Sequence, residues 1–256
     1  MSELIDPRRR RLILGLGAGA GSLLLGGCER ISNDPRTPSV LGSAQWLTRA
    51  VQRALVARDA RAPEYRRSDI APVFRPNGTT DPDNPRYQTL AQNQFRDWRL
   101  RVDGLVANPQ EFSLDAIRAM PAHTQITRHD CVEGWSCIGQ WTGVQLRHVL
   151  ALVLPKPQAR YVMFFCADPM DGGTKYYESI DLREAAHAQT LLAYALNGIT
   201  LPVAYGAPLR LRLGRQLGYK MAKYVMHVQL VDSYRPFGQG HGGYWEDQGY
   251  AWYAGI

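Results

Sequence analysis

Residues 128–137, RHDCVEGWSC, put two cysteines, two acids, a histidine and a tryptophan into ten positions of a chain that has four cysteines in all. Four chemistries suit such a cluster. Cys131 and Cys137, six apart, could close a disulfide, which exported proteins favour. With His129 and His148 they could bind zinc, although no C-x-x-C or His-x3–5-His pair is present. A nucleophilic Cys131 would need a histidine base, and spacing pairs none of the six histidines with it. The fourth is a single thiolate on a soft redox metal whose other ligands come from an organic cofactor, with phosphate-binding residues scattered elsewhere. Composition and spacing leave all four open.

The cysteine count turns on the N-terminus. Arg8 to Arg11 precede an apolar run of small residues and leucines over 12–27, and Cys28 follows in LLGGC. The run is short for a membrane-spanning helix, which takes about 20 residues. Arg9-Arg10-Arg11-Leu12-Ile13 fits a twin-arginine (Tat) signal, the route of proteins exported folded and cofactor-loaded. LLGGC looks like a bacterial lipobox, so the expectation is an export signal over 1–28 and a periplasmic or cell-envelope protein anchored to the membrane by lipid on Cys28. The remaining thiols, Cys131, Cys137 and Cys166, are odd in number, so at least one is free, ligated or paired with another chain.

The net charge of +7 does not point to nucleic acid. Residues 1–67 carry 12 Lys and Arg against 6 Asp and Glu, whereas residues 68–256 carry 18 against 17. The basicity belongs mostly to the N-terminal segment, and no nucleic-acid partner is expected.

Elements that must position the cluster follow from periodicity. Residues 29–70 are expected to be a polar tether and one amphipathic helix over 44–58, with Trp46, Leu47, Ala50, Val51, Ala54 and Leu55 at helical spacing. APVFRPNGTTDPDNPR, with four prolines, excludes long regular structure over 71–86. Strands are expected in WRLRVDGLV, RYVMFFCA, PLRLRLG and KYVMHVQLV. Helices are expected over 113–121, 141–155 and 179–196. The pattern gives a mixed α+β domain and no repeats.

CVEGWS at 131–136, followed by W-x-G at 141–143, resembles the molybdenum domain of the sulfite oxidase superfamily. It is most similar to the periplasmic methionine-sulfoxide reductase catalytic subunits, whose signature is C-V-E-A-W-S. ARYVMFFCADPMDGG, YESIDLREAAHAQTLLAYALNGITLP, GAPLRLRLGRQLGYKMAKYV and the aromatic C-terminal segment follow in the same order. The resemblance covers 71–256 and implies an α+β, sulfite-oxidase-type molybdopterin-binding domain, β-rich with surrounding helices.

It implies Mo-molybdopterin as cofactor, with Cys131 as the one protein ligand of the metal. It carries Arg75, Pro76, Asn77, Arg210, Met221, Ala222 and Lys223 over as cofactor contacts. Cys166 and Tyr205 stand where the reductases carry a threonine and an asparagine. Glu133 and Trp135 fall beside the ligand, at a substrate funnel with catalytic roles. The sulfite-oxidase hallmark of a glycine, an asparagine and two arginines after the cysteine is missing. The implied reaction is oxygen-atom transfer, reducing a small S-oxide or methionine sulfoxide in oxidised envelope proteins. A membrane haem protein is the implied electron donor and the catalytic domain is expected to be monomeric, since no cytochrome or dimerisation domain follows. The alternatives are a sulfite-oxidase-like oxidase passing electrons to a cytochrome, or a non-catalytic envelope lipoprotein with a Cys131–Cys137 disulfide.

Overall fold

The computed structural model describes residues 47–256 apart from residue 58. The expected export signal, Cys28, the tether up to residue 46 and Trp46 itself lie outside the described residues. The chain divides into compact units Met1–Gln52 and Arg53–Ile256, and both sheets belong to the second. Of the helix expected over 44–58, residues 47–55 are helical.

One sheet has the order β2 (Gln110–Ser113), β1 (Arg99–Gly104), β10 (Val225–Val231), β5 (Tyr161–Pro169), β6 (Lys175–Asp181). Only β1 and β10 pair in parallel, and every other neighbour is antiparallel. Alternation on β1 buries Leu100 and Val102 beside Trp98, while β5, an interior strand between β10 and β6, is apolar on both faces. The second sheet runs β3 (Ala122–Asp130), β4 (Ser136–Gln145), β7 (Leu191–Leu196), β8 (Ile199–Thr200), with β9 (Arg210–Arg212) also paired to β7.

Helices close the apolar side. α1 (Pro85–Gln92) starts where the proline-rich loop ends: Asn84 caps the Tyr87 N–H at 3.2 Å and Pro85 takes the first helical position. α2 (Leu114–Ala119) is capped by Ser113. α3 (Leu146–Val153) buries Leu146, Val149, Leu150 and Val153 on one face.

Two expected helices are partly strand. Residues 141–145 belong to β4, because they pair with β7 on either side of a bulge between Thr142 and Gly143, and α3 starts only at Leu146. In 179–196 only α4 (Leu182–Ala185) is helical, and 191–196 is β7. The polar side chains of AHAQT end the helix: Thr190 Oγ1 donates to the Glu184 carbonyl at 2.6 Å and His187 Nδ1 accepts from the Gln189 N–H at 3.2 Å. β3 was not expected at all. Its inward residues are Gln125, Thr127 and His129, all buried, with Arg128 turned outward, so the strand is polar on the face it hides.

Candidate active site

The register of β3 with β4 builds the centre. His129 pairs with Cys137 and Asp130 with Ser136, leaving 131–135 as the connection between two long strands. Cys131 N–H donates to the Trp135 carbonyl at 2.9 Å and Gly134 N–H to the Cys131 carbonyl at 3.1 Å. Gly134 sits at φ +84°, a conformation that side chains disfavour. Glu133 accepts from the Trp135 indole N–H at 3.0 Å, and the Arg75 guanidinium lies 5.2 Å from the Trp135 ring centre. Cys131 is half-buried, whereas Val132, Glu133 and Gly134 are exposed.

Burial pushes the Cys131 thiol up from its ordinary value; the Glu133 backbone N–H, Arg210 and Arg75 pull the other way. Cys131, Cys137 and Cys166 are all free, so the disulfide alternative is not formed. Among the described residues no three His, Cys, Asp or Glu side chains gather as a metal cluster, which removes the zinc alternative.

The proline-rich loop is tied down by the residues that resemblance singles out. Tyr205 Oη donates to the Phe74 carbonyl at 2.7 Å. Arg210 donates to the Asn77 side-chain oxygen at 3.1 Å and to the Tyr205 carbonyl at 3.2 Å. Lys223 Nζ donates to the carbonyls of Asn77 at 2.6 Å, of Ala204 at 3.2 Å and of Thr79. Arg75 and Pro76 are exposed on the same loop. Met221 and Ala222 are buried, Met221 with its sulfur 2.5 Å from Arg212 and Ala222 accepting from the Leu211 N–H at 2.8 Å. Cys166 is a core thiol on β5 opposite Val225, and burial followed by Asp168 and Glu178 pushes it well above the ordinary range.

Sequence reasoning missed Arg212. The L-R-L-R alternation of β9 could have found it, since a period of two puts Arg210 and Arg212 on one face. Both are fully buried, with guanidinium carbons 5.3 and 4.3 Å from the Trp141 ring centre. Among the described residues neither arginine nor Lys223 forms an ion pair with a carboxylate. Burial holds Arg210 down to about 10 and Arg212, with Arg210 beside it, well below its usual range. A guanidinium keeps its proton in proteins, so this cost expresses a demand for an anion. Burial, then Arg210, lowers Lys223 to about 7.

A cleft of about 70 Å³ opens beside this cluster, lined by Asn77, Asp168, Gly218, Met221, Lys223 and Trp245 among others. Three buried donors, the Nε of Arg210, the Nε of Arg212 and one ring nitrogen of His129, have no partner among the described residues. A thiol at a strand end, buried cations without counter-ions and unpartnered donors suit a large anionic group with an electrophilic metal at one end. The donor set therefore fits a pterin phosphate whose metal is held by a thiolate.

Comparison with known proteins agrees. Residues 87–237 match the family described as oxidoreductase molybdopterin binding domain. A protein of Azospira oryzae, named as protein-methionine-sulfoxide reductase subunit YedZ1, is 39% identical over 256 residues, covering 100% of this chain and 91% of its own. The protein-methionine-sulfoxide reductase catalytic subunit MsrP of Xanthomonas campestris is 33% identical over 90% of this chain and 73% of its own. MsrP of Ralstonia nicotianae is 31% identical over 91% and 71%.

Proposed function

The chain belongs to the family of oxidoreductases with a molybdopterin-binding domain, and from that premise we propose that it is an exported, lipid-anchored enzyme that carries Mo-molybdopterin and reduces S-oxides, methionine sulfoxide in envelope proteins above all. The names of the relatives support the substrate. The observation that carries the reading in this chain is the pair of buried arginines, packed on Trp141, that meet no carboxylate among the described residues.

Cys131 would hold the metal as thiolate, which ligation deprotonates in spite of burial. Arg210 and Lys223 would hold the phosphate with Asn77 and Tyr205 behind them, and Met221 and Ala222 would wall the pterin. When bound, the cofactor supplies the two-electron chemistry of oxygen-atom transfer. The chain's own work is to place the substrate. Trp135, steered by its hydrogen bond to Glu133, forms an apolar mouth for the thioether carbons, and Arg75 stacked on it offers donors to the S–O oxygen. Reduction of a sulfoxide to a sulfide and water takes two electrons and two protons, and a membrane haem protein would supply the electrons. Anchoring at Cys28 would raise the effective concentration of that partner.

The test is metal and pterin analysis of protein from a cofactor-producing host, beside Cys131→Ser and Cys137→Ser. We expect about one molybdenum per chain (the one-thiolate site), and reduction of protein-bound methionine sulfoxide with a chemical electron donor. Cys131→Ser should lose that activity and Cys137→Ser keep it. Equal activity in the two variants, or a folded wild type without molybdenum and pterin, would sink the reading.

A further inference from the structure

His129 lies two residues before Cys131 on the hidden face of β3, its ring centre 5.5 Å from that of Trp135, and nothing in the proposed reaction uses it. Its Nδ1 is 2.9 Å from a guanidinium nitrogen of Arg212. A guanidinium can only donate, so Nδ1 accepts, and a neutral ring must carry its proton on Nε2.

Among the described residues that Nε2–H has no partner, although the side chain is wholly buried. Buried donors left unmade are costly, so this one calls for an acceptor that a ligand brings. Only a residue without a side chain fits beside the ring at this point. A Cβ at Gly218 would come 2.5 Å from Nε2 and from the neighbouring ring carbon, and Gly218 also lines the cleft together with Met221 and Lys223. Arg212 is itself locked, on the Trp141 face at 4.3 Å, by the Met221 sulfur at 2.5 Å and by Thr127 Oγ1 at 3.4 Å.

We propose that Arg212 fixes His129 as the Nε2–H tautomer, and that His129 donates this hydrogen to an acceptor atom at the metal end of the bound cofactor. Arg212 is then a positioning residue that acts through His129. The proposal rests on the family reading of the site. A donor aimed at an electron-rich centre stabilises its reduced state more than its oxidised state, so His129 raises the reduction potential.

Two measurements test it. Nitrogen-15 NMR of histidine-labelled apoprotein should show His129 with a protonated Nε2 and a bare Nδ1 at pH 7, and Arg212→Met should abolish that preference. A protonated Nδ1 in the wild type overturns the proposal. In molybdenum-loaded protein, His129→Met should shift the Mo(V) electron paramagnetic resonance signal and lower the midpoint potential. His129→Gln, whose amide N–H reaches the Nε2 position, should restore both. Wild-type signal and potential in a fully loaded His129→Met overturn the donor role. If His129→Met does not fold, Arg212→Met decides in its place: a lowered potential at full metal content supports the proposal and an unchanged one overturns it. A wild type without molybdenum ends the family reading as well, and that result comes from metal analysis, separately from the tautomer.

Discussion

Two buried cationic clusters lie close together in the sequence and are built on opposite plans. Lys220 sits between two carboxylates, its Nζ 2.5 Å from both Glu178 on β6 and Glu246 on α5 (Tyr244–Asp247), and 3.0 Å from the Ser179 carbonyl. Burial pulls the Lys220 ammonium down, but Glu178 and Glu246 outweigh it and hold the group above its usual value. Burial, with Glu246 adding to it, pushes the Glu178 carboxyl well up. Three residues on, Lys223 has carbonyls for company, and Arg210 and Arg212 have an amide, an imidazole, a carbonyl, a hydroxyl and a thioether. Where the chain supplies the counter-ions, the cluster locks α5 and β6 to the turn that precedes Met221. Where it withholds them, the cluster waits for an anion. The same residue types, equally buried, thus hold the fold in one place and, in the proposed reading, a ligand in the other.

The sharpest way to break this contrast is Lys220→Met, which strands two carboxylates in a dry interior. Removing one partner of a buried ionic group costs about 3–5 kcal/mol, so urea unfolding of the apoprotein should show a loss of that order. Adding Glu178→Gln and Glu246→Gln to the same variant should recover much of it. Wild-type stability in the single variant would remove the structural half of the comparison. Arg210→Met is the counterpart. It relieves a buried charge that has no counter-ion among the described residues, so apoprotein stability should change by no more than about 1 kcal/mol or rise. Molybdenum content should fall at least about tenfold, as expected for a lost charge-assisted contact worth roughly 1.5–3 kcal/mol. A loss of apoprotein stability as large as that of Lys220→Met would erase the distinction.

How much of this was legible without coordinates depends on who a residue's partners are. β5 and β10 could be read from YVMFFCA and KYVMHVQLV, because burial leaves an apolar pattern. The chemistry expected at 131–135 and the expected cofactor contacts came through a resemblance, since RHDCVEGWSC alone fits four chemistries. β3 was invisible: its hidden residues are Gln125, Thr127 and His129, and polar inward residues look like a solvated segment. The Lys220 cluster was equally hidden, because its partners lie 42 and 26 residues away and no local pattern joins them. Apart from the alternating arginines of β9, these buried polar groups show themselves only through distant partners.

Asp168 and Lys223 sharpen the contrast through pH. Burial raises Asp168 to about 7 and lowers Lys223 to about 7. For Asp168 the folded value lies above the unfolded one, so its contribution is largest below the ordinary carboxylate range and is lost as pH rises to 7. For Lys223 the folded value lies below the unfolded one, so its contribution is largest at high pH and is lost as pH falls to 7. Apoprotein stability should therefore dip near pH 7, with slopes of at most about 1.4 kcal/mol per pH unit for each group. Asp168→Asn should remove the acid side of the dip and leave the alkaline side. Thermal unfolding between pH 4 and 10 measures it, and a flat profile would mean that the cleft is better solvated than its burial implies.

The smallest effect belongs at the exposed rim. Arg75 touches Trp135 from solvent, 5.2 Å from the ring centre, and such an exposed cation–π contact contributes about 0.5–1 kcal/mol. Arg75→Ala should leave unfolding nearly unchanged and cofactor content intact. If Arg75 offers donors to the S–O oxygen, as its position over the Trp135 mouth suggests, the variant should raise KM for the sulfoxide several-fold with kcat little altered. Arg75→Lys keeps the charge but loses the planar fork, so it should recover only part of that loss. A fall in molybdenum content in Arg75→Ala instead would move Arg75 from the mouth to the cofactor, and so extend the carboxylate-free cluster from the interior to the surface.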